Sequence, residues 1–170
     1  MYKRQNDTRQ DISNEDLIPE ETRVLTISRT GYAKTQPLEE YREQRRGGQG
    51  KAAASVKEED VIQNLYVLSS HSQMLCFTTK GKVYWLKVYE VPIASRTSKG
   101  RPLVNMLNLD DDEKVSDILP VSEFSEDRYV FMATKKGITK KTNLSLFARK
   151  WKSGIKAIKL DNDDELIGSA

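Results

Sequence analysis

Glycine returns along this chain at intervals of about fifty residues, each time between two short runs of β-forming residues. The three segments are ISRTGYAKTQPLEEY (27–41), FTTKGKVYWLKVYEV (77–91) and ATKKGITKKTNLSLF (133–147), centred on Gly31, Gly81 and Gly137. A second glycine follows at Gly50, Gly100 and Gly154, always beside Lys or Arg. Each unit then meets an acidic cluster followed by an aliphatic residue: Glu58-Glu59-Asp60-Val61-Ile62, Asp110 to Val115, and Asp163-Asp164-Glu165-Leu166-Ile167. Residues 1–14 read as a linker, 15–60, 61–114 and 115–165 as three repeats, and 166–170 as the start of a fourth. Glycine in TKGK (79–82) and KKGI (135–138) suits hairpin turns that need a positive φ. Runs such as YVLSS, QMLCFTT and RYVFMATK are strand-like, and helical periodicity is absent over any long window. The expected fold is all-β, with propeller-like blades rather than a sandwich, because a sandwich has no reason to repeat its turns in register.

Charge follows the same period. Residues 29–57 sum to +4, 78–109 to +5 and 128–159 to +10, while 58–77, 110–127 and 160–170 sum to −3, −7 and −4. The net charge of +3 is therefore a cancellation between basic faces and acidic junctions. Ile, Val, Leu and Phe make up 40 of 170 residues, enough for a folded core. No apolar run approaches the roughly 18 residues of a membrane span, and the first fifteen residues hold no signal-peptide core, so no membrane partner is expected. Cys76 is the single cysteine and reads as a small core hydrophobe in a reducing, cytoplasmic compartment. Trp85, Tyr84 and Tyr89 read as core or half-exposed strand residues, and His71 as a loop residue without a visible partner.

Catalytic chemistry is missing from the letters. One His and one Cys cannot make a zinc site, and neither a nucleotide-cradling G-x-x-x-x-G-K-[ST] nor a spaced calcium loop occurs. What recurs instead is phosphate-binding chemistry. In QRRGGQGK (44–51), Arg45 and Arg46 offer planar donors for phosphate oxygens, and Lys51 adds a point charge. Gly47, Gly48 and Gly50 let backbone N–H groups approach an anion, and Gln44 and Gln49 donate without specifying a base.

That stretch resembles the box that distinguishes the A subunit of bacterial DNA gyrase, Q-R-R-G-G-K-G, with Gln49 at the usual Lys. The repeats around it, and the entry segment DISNEDLIPEE (11–21), are similar to the C-terminal domain of that subunit over about 11–170. The resemblance implies a β-pinwheel, a ring of about six strand-exchanging blades of which three are present here. It implies sequence-nonspecific binding and wrapping of double-stranded DNA, in support of ATP-dependent negative supercoiling. It also implies a place with the B subunit of gyrase in an A2B2 heterotetramer associated with the bacterial nucleoid. ATP and Mg would be used elsewhere in that holoenzyme, with no cofactor here. The DNA-cleaving tyrosine would lie upstream, leaving this chain non-enzymatic within an isomerase.

Candidate rim contacts beyond the box are Lys34 in the first unit, and Lys80, Lys82, Lys87, Arg96, Lys99 and Arg101 in the second. In the third they are Lys135, Lys136, Lys140, Lys141, Arg149, Lys150, Lys152 and Lys156. With about eight phosphate contacts the log–log salt slope of binding would be near −7. Gln49→Lys should tighten binding and steepen that slope by about one. Two other readings are the A-type subunit of topoisomerase IV, whose related domain carries a degraded box or none, and a propeller serving as a protein-interaction scaffold. The scaffold would show an apolar or mixed-charge rim.

Overall fold

The computed structural model describes residues 14–39, 61–95 and 97–170. Eleven strands are described: β1 (Thr22–Ser28), β2 (Tyr32–Pro37), β3 (Ile62–Ser69), β4 (Gln73–Thr78), β5 (Lys82–Lys87), β6 (Arg101–Pro102), β7 (Val115–Val121), β8 (Tyr129–Thr134), β9 (Thr139–Asn143), β10 (Ile155–Lys156) and β11 (Leu166–Ser169). Short 3₁₀ turns lie between them at Asn14–Leu17, Val88–Glu90, Leu103–Asn105 and Leu144–Phe147, and Leu38 and Glu39 after β2 are helical. The fold is all-β, as the repeat predicts.

Three hairpins, β1–β2, β4–β5 and β8–β9, each anchor one of three antiparallel sheets. Their turns are alike. Gly31, Gly81 and Gly137 stand at φ +85°, +72° and +83°, and each donates its N–H three residues back, to Ser28, Thr78 and Thr134. This is a type I turn closed by a left-handed residue, the geometry that favours glycine. The hydroxyl at each hairpin entry also accepts the N–H four residues on: Tyr32 to Ser28, Lys82 to Thr78 and Ile138 to Thr134.

The sheets draw on more than one sequence unit. Their strand orders are β3-β1-β2-β6, β7-β4-β5-β10 and β11-β8-β9. In the first two, the opening strand of the following unit flanks the hairpin on one side, and a two-residue strand from beyond the next hairpin flanks it on the other. Register shifts recur at matching points, Ile27/Ser28, Phe77/Thr78 and Leu166/Gly168, beside the hairpin-entry hydroxyls. Pro120 is tolerated in β7 because that strand is a sheet edge and needs no outward donor.

The core lies between the sheets. β4 is buried on both faces because a sheet packs against each of them. Met74 and Cys76 join Leu25, Ile27 and Leu86 on one side, while Leu75 and Phe77 join Val130, Met132 and Phe147 on the other. Burial pushes the Cys76 thiol up to about 12, with the Glu90 charge adding to it, so this side chain is a core hydrophobe and a poor nucleophile. Tyr84 is buried and Trp85 and Tyr89 half-buried, as expected.

Candidate nucleic-acid interface

The two edges of each sheet differ in charge. The strands β3, β7 and β11, which form one edge, carry no Lys or Arg. The opposite edges carry Lys34 and Arg101 on β2 and β6, Lys82, Lys87 and Lys156 on β5 and β10, and Lys140 and Lys141 on β9. Strand order therefore gathers basic residues from distant parts of the chain along the same side of successive sheets.

Within that edge the second and third hairpins differ. Lys80 pairs with Asp112, and Lys82 with Asp110 at 2.9 Å, with the buried Glu113 carboxylate at 3.9 Å. These bonds hold the Asp110 and Asp112 carboxyls below the usual range and the two ammonium groups above theirs. Lys87 is half-buried, donating to Glu15 at 2.8 Å and to the His71 carbonyl at 2.8 Å. Lys34 donates to the Ser95 and Ser98 carbonyls at 3.1 and 2.8 Å, and so holds the loop before β6. The Lys99 ammonium stands 6.0 Å from the Tyr32 ring centroid, and Arg101 is exposed.

Around the third hairpin no base forms an ion pair among the described residues. Lys135 is exposed at the turn, and Lys152 and Lys156 are exposed beyond β9. Lys136 and Lys140 donate to the Asn162 and Ala157 carbonyls at 2.6 and 2.7 Å, neutral acceptors rather than carboxylates. Lys141 lies 4.0 Å over the Tyr129 ring, and Arg149 4.3 Å over Trp151. Partial desolvation, with the nearby Lys87 charge, lowers the pKa of Lys150. The box, Gln44, Arg45, Arg46, Gly47, Gly48, Gln49, Gly50 and Lys51, lies outside the described residues, as does Arg96.

The acidic junctions do more than balance charge. Glu113 is buried and accepts from the Thr78 hydroxyl at 2.5 Å, the Tyr84 hydroxyl at 3.0 Å and the Asp110 N–H at 3.1 Å. Asp164 holds the equivalent place at the third turn, accepting from the Lys136 and Glu165 N–H groups at 3.0 and 2.9 Å. Burial alone would raise the Asp164 pKa; the Thr134 hydroxyl and those N–H groups more than offset it and hold it low. These two junctions thus tie down the turns of the hairpins before them. Sequence reasoning missed this role, although the repeated [ST]-x-x-G followed by a distant acid was its signal. It also missed the partner of His71, whose Nε2–H donates to the Ile18 carbonyl at 2.7 Å while the ring meets Tyr89 edge-on. No cluster of His, Cys, Asp and Glu suited to a metal occurs among the described residues.

Comparison with known proteins agrees with this geometry. A family described as DNA gyrase C-terminal domain, β-propeller, matches residues 22–69, 72–122 and 128–170. The A subunit of DNA gyrase from Escherichia coli K12 is 54% identical over 158 residues, covering 93% of this chain and 18% of that protein. Its counterpart from Aeromonas salmonicida is 52% identical over 158 residues, with 93% and 17% covered. The chain therefore spans less than a fifth of the length of these relatives. Among solved structures, the C-terminal domain of DNA topoisomerase IV superposes with a TM-score of 0.73 at 24% identity, covering 90% of this chain and 46% of that one. A DNA gyrase A C-terminal domain superposes with a TM-score of 0.60 at 23% identity, covering 88% and 47%. These two likenesses speak to the fold.

Proposed function

This chain belongs to the DNA gyrase C-terminal domain family, and we propose that it binds duplex DNA without reading sequence and bends it along the basic sheet edges. The observation that carries this reading is the run of Lys and Arg on and beyond the third hairpin, none of which forms an ion pair among the described residues. Phosphates release counterions when such groups replace them, and that gain offsets the cost of bending, on the order of 1–6 kcal/mol for 20–30 base pairs turned by 40–90°. The rest of the work follows from position: contacts spaced over successive blades hold a curved path, and a curved path gives strand passage a preferred sign. The box at 44–51 and the rim bases named above supply the contacts in this proposal.

In the whole protein this segment would serve the A subunit of a gyrase, paired with the B subunit in an A2B2 assembly in the bacterial cytoplasm. Its partners would carry ATP hydrolysis and Mg-dependent strand cleavage, and this segment would hold DNA without catalysing a bond change. Binding the chain to nicked circular DNA, religating, and reading the linking number tests the proposal. A consistent shift of one sign supports wrapping, and religation products centred on the relaxed distribution overturn it.

A further inference from the structure

Aligned on the second glycine of each unit, the box QRRGGQG (44–50) corresponds to ASRTSKG (94–100) and ARKWKSG (148–154). The third copy is described throughout. Residues 148–153 are six consecutive exposed residues holding Arg149, Lys150 and Lys152, no acid, and one large aromatic, Trp151, which is 45% exposed. The matching positions in the other copies are Gly47 and Thr97, so the apolar group is particular to this blade.

Both ends of the loop are fixed. The Phe147 carbonyl accepts from the Trp85 indole N–H at 2.8 Å, and its buried ring meets Phe77 edge-on. At the far end Gly154 stands at φ +68° against the Tyr84 ring, so close that a Cβ would lie 2.7 Å from it. Within the loop the Gly154 N–H bonds back to the Trp151 carbonyl at 3.0 Å. The indole is thus presented to solvent by a pinned loop, with the Arg149 guanidinium 4.3 Å above its ring. Stacking occupies a face of the guanidinium and leaves its in-plane N–H groups free for phosphate.

We infer that Trp151 is a direct duplex contact, its indole packed on the sugar edges of the minor groove while Arg149 takes the flanking phosphate. This rests on the duplex-binding reading above. An apolar side chain set among cations suits a groove wall between phosphates, and apolar residues bend DNA from the minor groove in other settings. The fixed loop limits the ordering cost of the contact.

Intrinsic fluorescence tests it, because Trp85 and Trp151 are the two tryptophans. Adding a 30-base-pair duplex to the chain should change its tryptophan emission, and Trp151→Phe should abolish that change. Trp151→Ala should weaken binding about three- to tenfold with the salt slope unchanged, since no charge is lost. Arg149→Ala should weaken binding and lower the slope by about one. A gel shift by the unmodified chain without any emission change, or with full affinity in Trp151→Ala, overturns the inference alone. No gel shift by the unmodified chain at low salt overturns the duplex-binding reading and this inference with it.

Discussion

Thr78 accepts the Lys82 N–H across its own turn and donates to Glu113 from the next junction, so one hydroxyl closes a hairpin and fastens it. Removing the carboxylate strands two buried hydroxyls, those of Thr78 and Tyr84, and each such loss costs about 1–3 kcal/mol. Glu113→Ala should therefore destabilise the chain by about 3 kcal/mol in urea unfolding, whereas Glu113→Gln, which keeps an acceptor, should cost less. Glu15 and Asp164 carry carboxyl pKa values lowered in the folded chain, Glu15 first by its bond from Lys87. A depressed carboxyl stabilises above its unfolded pKa and loses that contribution as pH falls through its folded value. Thermal stability should stay level from neutrality down to about pH 5 and fall below about pH 4, and Glu15→Gln should shrink that acid loss. Melting curves across that range check the sign. Cys76, buried with its thiol pushed up to about 12, should resist thiol reagents until the chain unfolds.

At the scale of elements the glycines divide into two kinds. Gly31 and Gly137 need only their positive φ, since a Cβ there meets nothing within 4 Å. Gly100 must also lie against β2, where a Cβ would sit 2.3 Å from the Ala33 carbonyl oxygen. Gly137→Ala should cost about 1 kcal/mol, while Gly100→Ala should cost about 3 kcal/mol or more by lifting β6 off its sheet. The hairpins, their turns and the strand character of QMLCFTT were legible in the sequence because they depend on neighbours in the chain. The handover of β6 and β10 to earlier sheets was not, because two-residue strands carry no period and their partners lie about seventy residues away. The basic blocks were equally plain in the letters. Which lysines enter ion pairs was not, since the acids that offset the charges of Lys80, Lys82 and Lys87 are placed beside them only by folding.

For the whole molecule this distribution sets the salt response. In the proposed complex, if the three carboxylate-paired lysines keep their partners, contacts would come mainly from the third hairpin, its following loop and the box, and the log–log slope should lie between about −5 and −7. A slope near −2 in a fluorescence titration would exclude an extended path. Disrupting a pair by Asp112→Asn should steepen the slope by releasing Lys80 toward phosphate.

The crossed strands also impose an order in time. The first hairpin ends at Pro37, yet its sheet is closed by Arg101–Pro102; the second ends at Lys87 and is closed by Ile155–Lys156. As the chain emerges from a ribosome, each of these two sheets must wait for the hairpin after it to be made before its last strand arrives. Folding then advances like knitting, with one row always held open on the needle, and an interruption of synthesis at any point leaves the newest sheet without its final strand.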